Sequence, residues 1–384
     1  MKILLVHNFY KIPGGEDQVF RNEEKLLKEH GHEVYDYTRD NADMKPWDLL
    51  RAPYSIKTER DIAKIIGQKG IELVHVHNTQ FLISPSVFDA AGKRGIPVVQ
   101  TLHNFRPLCI GAQLYRDGKV CRECMGAGLR AGVWHGCYRG SRLFSYLAYR
   151  VQALARKKRL YELAHFICLT EFNRSIFIKG GMDPERLHVK PNFLFSLPEA
   201  VSLKASPEKS RGYFLYIGRL SEEKGIEDIL RCWAGVPADK ELLICGDGER
   251  SFVDAIKRKY GRPNICFLGS KPHDKAIEIL KGAAAMIFAS RWYEGFPMTI
   301  IESFFLGTPV LGLGFGNGGN IIRGIYGRSE ALMGDMSELP QRIAEFERDR
   351  ERGLYDFDPE RLKDFTAERN YEILMGIYAG MKCG

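Results

Sequence analysis

Two glutamates eight positions apart, Glu294 and Glu302, frame a Gly-Phe-Pro elbow and an apolar run in the stretch RWYEGFPMTIIESFFLGTP, residues 291–309. Pro297 suits the first position of a helix, where its missing N–H is no loss. Glu294 is then expected in the loop before the helix, and Glu302 about a turn and a half inside it. The unbonded amides of such a helix start are a natural anion site. Spacing alone fits a loop glutamate and a solvated helix glutamate equally well, so the surroundings must decide. Arg219 and Lys224 supply two cations on one turn, RLSEEKG, and such a pair suits a diphosphate through charge-assisted hydrogen bonds. A carboxylate inside a helix can hold the vicinal hydroxyls of a ribose, and one before it the hydroxyls of a sugar. Diphosphate, ribose and sugar together make a nucleotide sugar.

Other residue types carry chemistry elsewhere. His103 ends the apolar run PVVQTL, residues 97–102. Ligands of open parallel sheets gather beyond the carboxyl ends of strands, which favours a site role over a purely structural histidine. After it, the segment 104–140 is long for a connection in a compact domain, and it holds Cys109, Cys121, Cys124 and Cys137. A Cys-x2-Cys with two flanking cysteines in a reducing compartment reads first as structural zinc. Unpaired thiols, redox-active disulfides and an iron–sulfur cluster remain open. The segment reads as poor in apolar residues, so a metal would give it a core.

The elements that must position these groups alternate. MKILLV is a buried-strand pattern, followed by a loop with Gly14 and Gly15 and a helix at roughly 16–30. Strands at 32–38, 72–77, 97–102 and 165–170 and helices at 58–69, 84–94 and 171–180 follow. A stretch rich in Ser, Pro and Lys then reads as a linker. A second series of strands begins at 213–218 and continues at 241–246, 264–269, 285–290 and 309–314, with GNGGNIIRG, residues 316–324, as another Gly-rich loop. The end is helical, at roughly 337–351, 359–363 and 366–381. This alternation defines an α/β fold of two tandem doubly wound, Rossmann-like domains, which we expect to face a cleft. The expected boundaries are 1–195, a linker at 196–211, 212–365, and a final helix at 366–384 that crosses back to the first domain.

Charge is localised. The chain has 56 Lys and Arg against 48 Asp and Glu, a net charge of +8. Residues 101–160 carry 12 basic and 2 acidic residues, net +10. One basic face implies an acidic partner: anionic lipid, a phosphorylated substrate or nucleic acid. Residues 141–163 have a helical period, with Leu143, Leu147, Val151 and Leu154 on one stripe among six positive charges and four aromatic residues. That pattern fits an interfacial amphipathic helix and equally a domain helix with its stripe in the core. The opening apolar run is too short for a signal peptide, and no run of 18 apolar residues follows. The expected location is cytoplasmic, peripheral on the inner face of the plasma membrane where the basic region meets lipid.

With these features in place, the chain resembles the retaining nucleotide-sugar glycosyltransferases of family 4, with the GT-B fold. Glu294-Gly-Phe-Pro through Glu302 to Gly307-Thr-Pro is similar to the family's E-x7-E stretch. GRLSEEKG (218–225) resembles its phosphate-binding turn, CGDGE (245–249) its short Gly strand end with Gly246, and VKPN (189–192) the segment before its hinge. PGGED (13–17), TLHN (101–104) and the last helix, ERNYEILMGIYAGM (368–381), match as well. The resemblance implies that Arg219 and Lys224 neutralise the leaving diphosphate of a UDP- or GDP-sugar. Gly14 and Gly15 let backbone approach it, and Glu302 binds the ribose. It further implies that Glu294 holds the donor sugar with the backbone of Phe296, Met298 and Thr299, and that His103 contacts it. Transfer would proceed on the front face with retained configuration and without a catalytic metal.

The expected acceptor is lipid-linked or a glycan, in bacterial-type surface polysaccharide synthesis, with an anionic membrane surface nearby and no nucleic acid. The Gly-rich loop 316–324 lacks the acidic residue expected after its glycines, so the sugar is left open. A nucleotide-sugar epimerase on the same fold and a non-enzymatic lipid- or nucleic-acid-binding module are the alternative readings.

Overall fold

The structure is a computed structural model that describes residues 1–11, 14–45, 47–195 and 212–381. The expected linker 196–211 and Pro13 of the PGGED loop lie outside the described residues. The chain divides into two compact units. The first takes Met1–Arg116, Cys121–Phe195 and the stretch from Thr366; the second takes Asp117–Val120 and the chain up to Phe365.

The first unit is built on a parallel sheet. Its strands are β1 (Lys2–Phe9), β2 (Glu33–Asp40), β3 (Leu73–Val76), β4 (Val98–Leu102), then, after a separate hairpin of β5 (Tyr115–Arg116) and β6 (Lys119–Val120) whose second strand groups with the other unit, β7 (His165–Cys168) and β8 (Leu187–Val189). The sheet order is β2-β1-β3-β4-β7-β8. Ile3 to Val6 are fully buried, as a strand covered on both faces requires. Side-chain caps from Ser55, Ser141 and Thr170 start three of the helices by accepting from amides that would otherwise lack partners. The C-terminal helix Ala367–Met381 sets Leu374, Ile377, Tyr378 and Met381 into one core cluster with Ile3, Leu5, Phe20 and Val99.

The second unit repeats the plan with β9 (Tyr213–Ile217), β10 (Glu241–Cys245), β11 (Ile265–Gly269), β12 (Ala285–Phe288) and β13 (Val310–Gly312), ordered β11-β10-β9-β12-β13 and paired in parallel. Both sheets are thus of the doubly wound, Rossmann-like type.

Three local expectations are corrected. GNGGNIIRG is not a loop: Gly316–Tyr326 is a helix. Its glycines allow close packing, since a Cβ on Gly318 would lie 2.2 Å from the Phe288 ring and one on Gly319 2.6 Å from Leu313 backbone. Segment 104–140 is neither irregular nor short of apolar contacts. It forms the hairpin β5–β6 and helices Glu123–Gly126 and Arg130–Trp134. It buries Phe105, Leu108, Ile110, Leu114 and Leu129, and Ile110 and Leu129 join a cluster with Ala52, Phe81, Ala148 and Val151. The helix after it runs Arg142–Lys157, and it buries Ser145, Ala148, Val151, Gln152 and Ala155; of the expected stripe Val151 is buried, Leu147 and Leu154 are half-buried and Leu143 faces out. Leu143 is 66% exposed. Small residues beside Val151 let this helix sit close to the domain, and Leu143 and Tyr146 are left on its outward side.

Candidate active site

In the second unit the opening stretch folds as a loop followed by the helix Met298–Phe305, with Pro297 as its N-cap, one position earlier than expected. Lys224 Nζ donates to Glu294 Oε1 at 2.7 Å. The Ser290 hydroxyl donates to the same oxygen. Gly225 explains how Lys224 arrives there. It adopts φ +71°, and a Cβ on it would lie 2.0 Å from the Ala289 carbonyl oxygen. Only glycine lets the turn after β9 sit directly on the end of β12. Lys224 also lies 5.6 Å from the centre of the Trp292 ring.

Asn317, from the misread Gly-rich segment, donates its amide to the carbonyls of Glu294 and Gly295. It therefore fixes the loop that carries Glu294, and no spacing rule pointed to it. Glu302 sits inside the helix, where burial raises its carboxyl above the usual range and His273 works the other way; His273 Nε2 is 3.9 Å from Glu302 Oε1. Phe296, Met298 and Thr299 lie at the start of this helix, whose first amides lack intrahelical partners as a rule.

Arg219 is less embedded. It pairs with Glu223 at 2.6 Å and is exposed. Gly246 has a backbone role: its N–H donates to Gly269, and a Cβ there would lie 1.8 Å from the Gly218 carbonyl oxygen. The glycine is required by two strand ends packed backbone to backbone.

In the first unit His103 follows β4, with its Nε2 3.1 Å from His77 Nδ1. His103, Asn104, Arg106, Glu16, Gln80 and Gln152 line one polar cavity. Tyr10 donates to Glu16 at 3.0 Å, and Arg106 donates to the Tyr10 hydroxyl at 3.4 Å. Burial raises the Glu16 carboxyl to about 7 against the attraction of Arg106. Neither Glu16 nor Arg106 stood out in the sequence as a site residue, although Glu16 lies within the quoted PGGED and Arg106 two residues after TLHN. Gly14 precedes the first helix, and its N–H donates to Asp17 Oδ2 at 2.9 Å. A Cβ on Gly14 or Gly15 would meet open space.

The cysteines are gathered only in part. Cys109 and Cys124 share a thiol–thiol hydrogen bond, which lowers Cys109 to about 7 and raises Cys124. Backbone N–H groups of Gly111, Gln113 and Leu114 point at the Cys109 sulfur, and those of Ile110 and Gly132 at Cys124. Cys137 feels Cys121 and Cys124 only through space. Among the described residues, the group of three or more ligand-type side chains with donor atoms within 4.8 Å of one another is Glu23, His75 and His77, not the cysteines. Lys190 Nζ lies 3.0 Å from Glu23 Oε2, so an ammonium already supplies the positive charge there.

Comparison with known proteins identifies the class. Residues 13–194 match the model of Glycosyltransferase Family 4, and residues 202–351 that of Glycosyl transferases group 1. The chain thus carries a family 4-like and a group 1 domain in tandem, with the GT-B fold. Anabaena HepE in complex with UDP has the same fold, with a TM-score of 0.66 at 16% identity over 99% of this chain and 100% of that one. The lipopolysaccharide outer core galactosyltransferase WaaB in its apo form also gives 0.66 at 16% identity, over 99% of both chains.

Among curated sequences, an uncharacterized glycosyltransferase of Methanocaldococcus jannaschii is 33% identical over 103 residues, 26% of this chain and 25% of that protein. The lipopolysaccharide 1,6-galactosyltransferase of Salmonella typhimurium is 27% identical over 160 residues, 38% of this chain and 44% of that one. The chain therefore spans less than half the length of these curated relatives. No helix among the described residues is long and apolar enough to cross a membrane.

Proposed function

We propose that this protein is a retaining glycosyltransferase, which moves a sugar from a nucleotide diphosphate to a lipid-linked or glycan acceptor in surface polysaccharide synthesis. The observation that carries the reading is the Lys224–Glu294 pair, 2.7 Å apart at the head of the helix that holds Glu302. Glu302 takes the ribose hydroxyls, and Arg219 and Lys224 take the diphosphate. Glu294 and the helix-start amides hold the sugar, and His103 contacts it. The acceptor oxygen bonds to the anomeric carbon as the bond from that carbon to the diphosphate oxygen breaks on the same face. The acceptor proton passes to the departing diphosphate. Fixed cations aimed at developing charge are the strongest catalytic device available to such a site. The similarity to HepE, whose structure holds UDP, supports a nucleotide-sugar donor, and the similarity to a lipopolysaccharide galactosyltransferase supports the acceptor class.

The same reading places the first domain at an anionic membrane, where Trp134, Leu143 and Tyr146 stand exposed at 71%, 66% and 49% amid the basic residues of 101–160. It also gives structural zinc to Cys109, Cys121, Cys124 and Cys137. Spacing supports that metal, as do the amides aimed at Cys109 and Cys124, since such N–H groups stabilise thiolates.

A thermal-shift panel of UDP-, GDP- and ADP-sugars tests the donor. One sugar nucleotide should raise the melting temperature by several degrees at saturating concentration. No response to any member would overturn the reading.

A further inference from the structure

His103 is backed by a line of buried groups that lies wholly within the first unit. Its Nε2 is 3.1 Å from His77 Nδ1, with the two rings stacked at 5.3 Å. On the far side of that ring, His77 Nε2 is 3.4 Å from Glu23 Oε1. The same carboxylate oxygen is 2.8 Å from His75 Nδ1, and the other is 3.0 Å from Lys190 Nζ. Lys190 donates in turn to Asn370 Oδ1 at 2.8 Å, and His75 Nε2 meets the Thr101 hydroxyl at 2.8 Å. Glu23, His75 and Lys190 are fully buried, and His77 is nearly so.

The protons on this line can be placed. Burial alone would raise the Glu23 carboxyl; the Lys190 ammonium beside it is the largest opposing cause and holds the group well below the usual carboxylate range. At 3.4 Å the His77–Glu23 approach is a charge contact rather than an aligned hydrogen bond, and an ionised carboxylate only accepts, so its field favours the hydrogen on the His77 nitrogen that faces it. Burial keeps His77 neutral by lowering it to about 4, and a neutral imidazole has one ring hydrogen. His77 Nδ1 is then a bare acceptor, and His103 Nε2 must donate to it. Burial likewise holds His103 neutral, well below the ordinary histidine value. Its remaining nitrogen, Nδ1, is left bare.

We propose that Glu23 is a positioning residue that acts through His77 to fix His103 as the Nε2–H tautomer, so that His103 Nδ1 is presented as a hydrogen-bond acceptor for a hydroxyl of the bound sugar. The hydrogen bond made by one ring nitrogen sets the role of the other. This inference rests on the reading of His103 as a sugar contact and gives that contact a direction. The sugar must donate a hydrogen at this place, so a deoxy or O-methyl analogue there is rejected.

Long-range proton–nitrogen NMR of the full chain labelled with 15N-histidine reads each tautomer directly, and His103→Gln assigns the signal. At pH 7 we expect His103 with Nε2 protonated and Nδ1 bare. Glu23→Gln combined with Lys190→Met removes both buried charges together, and should convert His103 to a mixture of tautomers. An Nδ1–H form in the wild-type protein overturns the proposal, whether or not the double variant folds; so does an unchanged tautomer in a folded double variant. Addition of UDP-glucose, or of whichever panel member stabilises the protein, should shift the Nδ1 resonance. With the tautomer as expected, an unmoved resonance overturns the sugar contact and leaves the Glu23–His77–His103 relay standing.

Discussion

Lys224 and Glu294 form one ion pair: Nζ and Oε1 are 2.7 Å apart, with the lysine side chain 24% and the glutamate side chain 7% exposed. Under the proposed function the lysine takes the diphosphate and the glutamate the sugar, so the two parts of the donor meet at this pair. Glu294→Gln keeps the shape and leaves an acceptor for Ser290, while it removes the negative charge. Transfer should fall by about 10²–10³, the scale for losing one preorganised polar contact to the reacting group. The circular dichroism spectrum should stay that of the wild type. Turnover near the wild-type rate with the donor found in the panel would sink the assignment.

Asn317→Ala tests the support of that loop. It leaves the Glu294 and Gly295 carbonyls without the amide that now bonds them. An unsatisfied buried group costs about 1–3 kcal/mol, which corresponds to a loss of roughly 2–4 °C per kcal/mol in a domain of this size. The donor KM should rise about tenfold as the loop loosens. Calorimetric melting together with donor kinetics checks both, and an unchanged melting temperature with unchanged KM would remove Asn317 from the site.

Glu16 gives a pH dependence whose sign can be worked out. Burial raises its folded-state carboxyl to about 7 from an ordinary 4.5, against Arg106 and Tyr10; Asp17 reinforces the rise and Asn104 opposes it. A raised carboxyl contributes stability that is fully present below about pH 4.5 and is lost as pH rises through about 7. Glu16→Gln has no such loss. Relative to wild type it should gain about 3 kcal/mol between pH 4.5 and pH 8, because each tenfold change in proton affinity is worth about 1.4 kcal/mol. Urea titrations at both pH values read this difference directly, and it is independent of any constant penalty from Arg106. An equal offset at the two pH values would contradict the assignment.

The alternation of strands and helices was legible because each buried strand is a short apolar run and each helix has its own period. Glu294 and Glu302 were legible because they stand at fixed offsets around a proline that stops one element and starts another. Asn317 was not, because glycines that signal a loop locally are used here for close packing of a helix against Phe288. Glu23, His77 and Lys190 were missed for a different reason. They come together only when three segments are stacked, although two-residue spacing puts His75 and His77 of the strand at 72–77 on one face. The stripe of 141–163 was legible as an apolar face but not as buried or exposed: tertiary packing buries Val151 among small residues and leaves Leu143 outward.

The cysteines allow a direct measurement. If the insertion holds zinc, the purified protein should contain about one metal per chain, and Cys109→Ser or Cys124→Ser should release it and lower the melting temperature. Elemental analysis decides. Protein without stoichiometric zinc or iron, and unmoved by a chelator, would leave Cys109 and Cys124 as a hydrogen-bonded thiol pair in an apolar core that already includes Ile110 and Leu129.

The outward face of the helix Arg142–Lys157 bears on where the acceptor is met. Trp134 carries the Arg142 guanidinium 5.3 Å from its ring centre, so apolar area and positive charge coincide on one surface. Each exposed aromatic or aliphatic side chain contributes about 1.5–3 kcal/mol on burial, and each cation about 1 kcal/mol near an anionic surface. Together they suffice for reversible adsorption without insertion. Trp134, Leu143 and Tyr146 all changed to alanine should lower binding to half-anionic vesicles at least tenfold, while the fold is kept, because exposed positions cost little. Raised salt should weaken wild-type binding further by screening the charges. Sedimentation with anionic and with neutral vesicles at low salt makes the comparison. Equal recovery with both lipids would mean that the basic region serves something other than a membrane, with a phosphorylated acceptor next in line.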